Sequence, residues 1–389
     1  MTKPLPFIDL EAQQRKIQDR ITENVRRVLA HGQYILGPEV AELEKRLAAC
    51  VGVRHAVTCS SGTDALLMIL MAKGVGPGDA IFTTPFTFIA TAEVVRLLGA
   101  TPVFVDIDPA TYNVDPEALQ EALVNFAGHA RTAGLTPRGV IAVDLFGQPA
   151  DYDRISALAR DHGLFVLEDA AQSFGATYHG RQAGALAEAA ATSFFPAKPL
   201  GGYGDGGAVL TDDHDLAAIL MSIRNHGQGA DRYDHVRLGI NGRLDTLQAA
   251  ILLAKLDIFD EEVAARQEIA RRYHQGLKEV VAVPEVAPGC TSVWAQYSVE
   301  SEARDLIRVK LQQAGVPTAV YYPKPLHLQE VFRDLGYGPG DFPVSEAAAA
   351  RIFSLPMHPY LTTNDQERLI EVIRQAAAGF ISAPSASLR

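Results

Sequence analysis

Leu164-Phe165-Val166-Leu167-Glu168-Asp169-Ala170-Ala171-Gln172 joins an apolar run with no polar face directly to two carboxylates. A strand apolar on both sides belongs in a sheet that helices cover on both faces. The acids then fall at its carboxyl end, where open α/β sheets bind ligands. A salt bridge or a turn explains a carboxylate there equally well, so the surrounding pattern has to decide. Upstream, β-type runs at 55–59, 80–84, 102–105 and 139–143 alternate with helical stretches such as 65–73 and 153–161; downstream, further runs occupy 192–195 and 208–210. This alternation predicts an α/β fold with a mainly parallel central sheet and helices on both faces.

Farther out, Ile17, Ile21, Val25, Val28 and Leu29 recur at steps of three and four. Val40, Leu43, Leu47 and Cys50 do so after Pro38, so two amphipathic helices open the chain. Beyond Arg243 the pattern becomes one long helical stretch to about Lys278, then turn-rich 284–289, strand-like 293–299, helical 303–314, strand-like 318–322 and a last helix after Thr363. We expect a large domain over 1–255 and a smaller α+β domain over 256–389, ending in a low-complexity tail at 382–389.

The 35 Lys+Arg and 46 Asp+Glu among 389 residues give a net charge of −11. Nucleic-acid binders carry a basic surface, so that class is set aside. An anionic small ligand stays compatible, because a few local cations and amides suffice to hold one. Cys50, Cys59 and Cys290 form an odd set without a CxxC pair, which suggests neither a disulfide framework nor a thiolate zinc site and fits a reducing cytosol. The start of the chain lacks the apolar run of a signal peptide, and no stretch of about 18 apolar residues occurs. The expectation is a cytoplasmic protein with no membrane insertion. The 11 His residues show no HExxH spacing, which argues against a metal hydrolase.

Four more features bear on chemistry. Ser60-Ser61-Gly62-Thr63-Asp64 lies between a strand and a helix, where amides and the Thr63 hydroxyl suit a phosphate, although a plain helix cap uses the same residues. Thr84-Pro85-Phe86-Thr87-Phe88 offers an aromatic to stack on a flat ring, or simply core packing. Lys198 stands in Ser193-Phe194-Phe195-Pro196-Ala197-Lys198-Pro199-Leu200-Gly201 among apolar residues, and a desolvated ammonium readily becomes a nucleophilic amine. The glycines after it lack the Gly-Lys-Ser/Thr ending of a nucleotide loop. Gly239-Ile240-Asn241-Gly242-Arg243-Leu244-Asp245 supplies an amide and a guanidinium, the latter suited to forked recognition of carboxylate or phosphate, though a turn arginine is often only solvated.

The order of these features is informative: phosphate cradle, stacking aromatic, strand-end Asp, then Lys 29 positions later. Pyridoxal phosphate needs this set, because its aldehyde joins a lysine, its ring nitrogen stays protonated opposite a carboxylate, and its phosphate takes amides and hydroxyls. On Glu168-Asp169-Ala170-Ala171-Gln172 paired with Ser193–Lys198, the chain resembles the DegT/StrS group of nucleotide-sugar aminotransferases. The likeness extends from Phe7-Ile8-Asp9-Leu10 and Gly32-Gln33-Tyr34-Ile35-Leu36-Gly37-Pro38 to Ser354-Leu355-Pro356-Met357-His358-Pro359-Tyr360. It implies the fold type I pyridoxal phosphate transferase architecture. It implies Lys198 as covalent anchor and proton carrier, Asp169 on the ring nitrogen, Gln172 on the ring hydroxyl and Phe88 stacked on the ring. Gly62, Thr63 and Ser193 would bind the phosphate, and Asn241 would reach the phosphate of a neighbouring subunit's cofactor, implying a homodimer with composite sites.

Within that group the likeness is to enzymes that aminate C3 of a UDP-linked 3-oxo-N-acetylglucosaminuronate for surface polysaccharide, with glutamate as donor and pyridoxamine phosphate as the intermediate cofactor form. Arg243 would fork onto the uronate, and Tyr321, Tyr322, Lys324 and His327 fall in the stretch expected near the nucleotide sugar. Tyr321 departs from the group's usual His, Lys324 from an aliphatic residue and Asp144 from His or another polar residue; segment 125–135 is longer than usual. Competing readings are an aminotransferase for a dTDP- or UDP-linked 3-oxo or 4-oxo deoxyhexose, a dehydratase relative carrying His where Lys198 stands, and a non-enzymatic cofactor-binding regulator.

Overall fold

The computed structural model describes residues 5–382; the low-complexity tail beyond Ser382 lies outside the described residues. In chain order the strands are β1 (His55–Cys59), β2 (Asp79–Thr83), β3 (Thr101–Phe104), β4 (Thr136–Val143), β5 (Phe165–Asp169), a short ribbon of β6 (Thr177–Tyr178) and β7 (Arg181–Gln182), then β8 (Ala189–Ser193) and β9 (Gly207–Thr211). Seven of them form one sheet in the order β1-β9-β8-β5-β4-β2-β3. β3, β2, β4, β5 and β8 run parallel to one another, and only β9 runs against its neighbours β8 and β1.

The pleat sorts this sheet's residues. Ile81, Ile141, Leu167 and Ala191 enter the core beneath helices Gly62–Ala72, Ala90–Leu97 and His214–Ile223. Phe82, Val140, Ala142 and Val166 enter the opposite core, under Pro116–Asn125 and Tyr152–Asp161. Successive residues alternate faces, so Asp169 continues the side of Leu167 and Glu168 the side of Val166. The adjacent acids of the opening stretch therefore part company.

Helices Leu10–His31 and Pro38–Val51 open the chain as expected, the second burying Val40, Leu43 and Leu47 while Cys50 is exposed. The long helix expected over 244–278 is two, Thr246–Leu256 and Phe259–Leu277, parted at Asp257-Ile258. Asp257 there takes Arg20 and Arg46, each at 2.8 Å, from the two opening helices, a tertiary cause with no Gly or Pro to announce it. Past this break a second core gathers Ile269, Tyr273, Leu277, Val299, Ile307, Phe353 and Ile373 around the antiparallel pair β10 (Tyr297–Glu300) and β11 (Ile352–Leu355). The strand expected at 293–299 is limited to β10, because Trp294 turns the chain at φ 52°. The one at 318–322 reduces to a single bridge, Ala319 to Ser354. Segment 125–135 forms two 3-10 turns, Phe126–Gly128 and Ala130–Thr132. Among the described residues no helix is long and apolar enough to cross a membrane.

Candidate active site

β5 ends at Asp169 because the chain turns there: Asp169 Oδ1 accepts the Ala171 amide at 3.3 Å, and Ser173 N donates to Ala170 O at 3.2 Å. The Asp169 side chain is buried, and Oδ2 accepts from Thr91 Oγ1 at 2.9 Å; Thr91 in turn contacts Thr87 Oγ1 at 3.1 Å. Burial pushes the Asp169 carboxyl up, while the Thr91 hydroxyl, the Ala171 amide and the Lys198 ammonium draw it back down.

β8 ends at Ser193, two residues short of the expected run, because Ser193 Oγ accepts the Phe195 amide at 3.3 Å and turns the backbone out of the sheet. Pro196 then leads a turn in which Lys198 N donates to Phe195 O at 2.8 Å. The loop folds back so tightly that a Cβ at Gly201 would lie 2.5 Å from Pro196 O. Lys198 is thereby held, partly buried, beside Asp169; burial lowers its ammonium and the Asp169 charge partly restores it.

The start of helix Gly62–Ala72 abuts this turn. Ser61 Oγ caps it by accepting the Asp64 amide at 3.0 Å, and the amides of Gly62 and Thr63 have no intrahelical acceptor. A Cβ at Gly62 would sit 2.7 Å from Ser193 Cβ, so only glycine brings this helix start against the end of β8. The result is a positive cradle beside the Ser193 hydroxyl.

Gln172 is buried, and its Oε1 is among the buried polar atoms without a hydrogen-bond partner. Tyr322, partly buried, meets the Gln172 side chain and packs edge-on to Phe86 at 6.1 Å. The two aromatics of 84–88 take opposite fates: Phe86 is core, whereas Phe88 is 56% exposed. Arg243 is tethered, NH1 to Asn225 Oδ1 at 3.0 Å and NH2 to Asn241 Oδ1 at 2.5 Å. Asn241 is exposed, and Gly242 O accepts from Ser60 N at 3.1 Å, tying this turn to the cradle. Tyr321 packs against Phe7 at 6.5 Å, and Lys324 is exposed. His327 is not part of this gathering: it is buried against the Phe342 ring at 4.7 Å, with Nε2 3.1 Å from Glu346.

Sequence reasoning passed over Thr91, whose one available signal is its spacing of four from Thr87, which stacks two hydroxyls on one side of a helix start. It also passed over Asn225, which no local pattern links to Arg243. These residues fit pyridoxal phosphate: an ionisable carboxyl beside an amine, an orphaned amide oxygen, an exposed aromatic face and a Cβ-free cradle of amides. Among the described residues no cluster of three His, Cys, Asp or Glu is placed to hold a metal ion.

The sequence profile of the DegT/DnrJ/EryC1/StrS aminotransferase family matches residues 15–374. The chain is 52% identical over 362 residues to a Pseudomonas aeruginosa protein named UDP-2-acetamido-2-deoxy-3-oxo-D-glucuronate aminotransferase, covering 92% of this chain and 96% of that one. Among solved structures, a DegT DnrJ EryC1 StrS aminotransferase from Brucella abortus superposes with a TM-score of 0.93 at 53% identity, over 96% of this chain and 99% of that one. DesV of S. venezuelae, solved in complex with a ketimine intermediate, superposes at 0.91 with 37% identity, over 97% and 99% of the two chains.

Proposed function

Because the chain belongs to the DegT/DnrJ/EryC1/StrS aminotransferase family, we propose that it moves the amino group of glutamate to C3 of UDP-2-acetamido-2-deoxy-3-oxo-glucuronate. The product is a 3-amino sugar for surface polysaccharide of the O-antigen kind. What carries this reading is the 52% identity with the Pseudomonas aeruginosa relative over 92% of this chain. The enzyme works in the cytoplasm as a homodimer, with domains spanning 1–255 and 256–389. Exposed Tyr233 and Leu238, on the segment leading to Asn241, support a second copy at that edge.

Pyridoxal phosphate, when bound, supplies the electron sink and carries the amino group between donor and acceptor. The residues of this chain supply the rest. Gly62 and Thr63 amides and the Ser193 hydroxyl take the phosphate, and Asn241 keeps its NH2 group free for the phosphate in the partner's site. Asp169, steadied by Thr91, stays ionised opposite the protonated ring nitrogen. Gln172 gives its unpartnered end to the ring hydroxyl, and Phe88 covers one face of the ring. Lys198 anchors the cofactor, then as a free amine moves a proton to and from the substrate carbon; its lowered basicity suits both tasks. Arg243, held rigid by Asn225 and Asn241, presents its remaining N–H groups to the sugar carboxylate, with Tyr321, Tyr322 and Lys324 near the nucleotide sugar. His327 supports that stretch from behind, through Glu346.

The test is a single-turnover panel: protein loaded with pyridoxamine phosphate is mixed with nucleotide keto sugars, and return of the lysine-bound chromophore is followed. The UDP-linked 3-oxo uronate reacts fastest if the reading holds; faster reaction with a neutral dTDP-linked 4-oxo deoxyhexose overturns it.

A further inference from the structure

The second acid of the opening stretch is left unused by this chemistry. Glu168 is fully buried on the face opposite Asp169, where Oε1 accepts the Gly184 amide at 2.5 Å and Oε2 the Leu186 amide at 2.9 Å. β4 and β5 pair Ala142 with Glu168 and Val143 with Asp169, so Asp144, the first residue past β4, continues the face of Ala142 and Glu168. Asp144 is equally buried. Its Oδ1 accepts from Ala150 N and Tyr152 Oη, both at 2.9 Å, and its Oδ2 from Ser173 Oγ at 2.7 Å. Burial pushes both carboxyls up, and the Asp144 charge pushes Glu168 up further. A carboxylate only accepts, so two buried carboxyls on one sheet face can bond to each other only when one of them holds a proton.

The surroundings agree. Asp144 and Glu168 have no cationic partner among the described residues; the groups facing them are Tyr152 from its helix, Ser173, Cys290 on the far side, and Asp169 across the sheet. With Asp169 balanced by Lys198, ionised Asp144 and Glu168 would still repel each other on one buried face with no cation to compensate. Asp144 is also tied to the catalytic groups. Its N–H donates to Asp169 O at 3.1 Å, and its carboxylate fixes Ser173, the neighbour of Gln172.

We propose that Asp144 and Glu168 share one proton at neutral pH, so that the pair carries a single negative charge, and that this half-neutralised pair positions Asp169 and Gln172. What Asp169 and Gln172 then do rests on the function proposed above; the shared proton does not.

Infrared difference spectroscopy of the apoprotein reads the proton directly. At neutral pH the wild-type chain should show the carbonyl stretch of a buried protonated carboxylic acid, shifted by deuteration and fading only at alkaline pH, since burial and the Asp144 charge both push Glu168 up. Asp144→Asn, whose amide replaces the proton by an N–H donor to Glu168, should lack this band, and so should Glu168→Gln. No band in the wild-type chain, or a band that survives both substitutions, overturns the proposal. Positioning is read by cofactor affinity, followed by fluorescence. Asp144→Asn should bind pyridoxal phosphate within about threefold of wild type, with less dependence on pH above neutrality, and Asp144→Leu about tenfold more weakly. Ser173→Ala removes one link with little risk to folding and should weaken binding about threefold. Equal affinities in all four proteins would overturn the positioning role. Since the infrared arm uses apoprotein, its failure is distinguishable from failure of the cofactor reading, which Lys198→Ala tests.

Discussion

Lys198 and Lys255 are both lysines whose ammonium is lowered by burial, and they lie on either side of one loop. Tyr203, five residues after Lys198, donates its N–H to Gln248 Oε1 at 2.8 Å and lays its ring 4.3 Å from Lys255 Nζ. Their surroundings differ in every other respect. Lys198 is partly open and faces the buried Asp169 carboxylate, in the turn after the end of β8 that abuts the start of helix Gly62–Ala72. Lys255 is 1% exposed in the last turn of helix Thr246–Leu256, with no hydrogen-bond partner for Nζ and Glu262 as its opposing charge. On the function proposed above, desolvation alone does not make a lysine a nucleophile. Access, together with groups that handle the rest of the ligand, separates the two.

The sharpest way to break this comparison is to exchange the consequences. Lys198→Ala should abolish turnover and the borohydride-reducible chromophore, while Lys255→Met should keep both; an unchanged transamination rate in the first variant sinks the assignment. Next in size is Arg243→Ala. Losing a forked, charge-assisted contact should slow the reaction with the uronate about 100-fold and leave the glutamate half-reaction within about threefold. Equal losses in the two half-reactions would remove the sugar carboxylate from Arg243. Thr91→Val is smaller still. Without the Thr91 hydroxyl the Asp169 carboxyl, already raised by burial, rises further, so kcat should fall about fivefold and the acid limb of the rate profile should move to higher pH. A limb that stays in place would mean that Thr91 packs against Asp169 without tuning it.

What could be read beforehand follows from the same contrast. Apolar β5 with terminal acids, and a lysine among prolines and aromatics, are local signals, so the parallel sheet and the Asp169–Lys198 pair were legible in the sequence. Lys255 was not: it lies on a helix of mostly apolar residues, and its burial depends on Tyr203, 52 positions away. The break at Asp257-Ile258 depends on Arg20 and Arg46, and the use of Thr91 and Asp144 depends on which strands become neighbours. Each is a tertiary fact that no window of sequence contains. His327 shows the reverse error, where a polar residue in a promising stretch is turned into an aromatic cluster.

Lys255 itself offers the finest test. Its ammonium falls from the ordinary 10.5 to about 8 in the folded chain, which Tyr203 and Glu262 only partly offset. The folded state therefore binds this proton less readily than the unfolded state does. The resulting destabilisation is complete below about pH 8 and disappears as pH rises through 10.5. Lys255→Met fills similar volume without a charge, so at pH 7 it should raise stability by about 2 to 3 kcal/mol, less whatever the contact with Tyr203 contributes. Urea unfolding of apoprotein at pH 7 and near pH 10 measures this, and the gain should shrink at the higher pH. A variant less stable than wild type at pH 7 would mean that Lys255 is bound firmly to Tyr203 and Glu262, and the contrast with Lys198 would then be one of partners rather than of access.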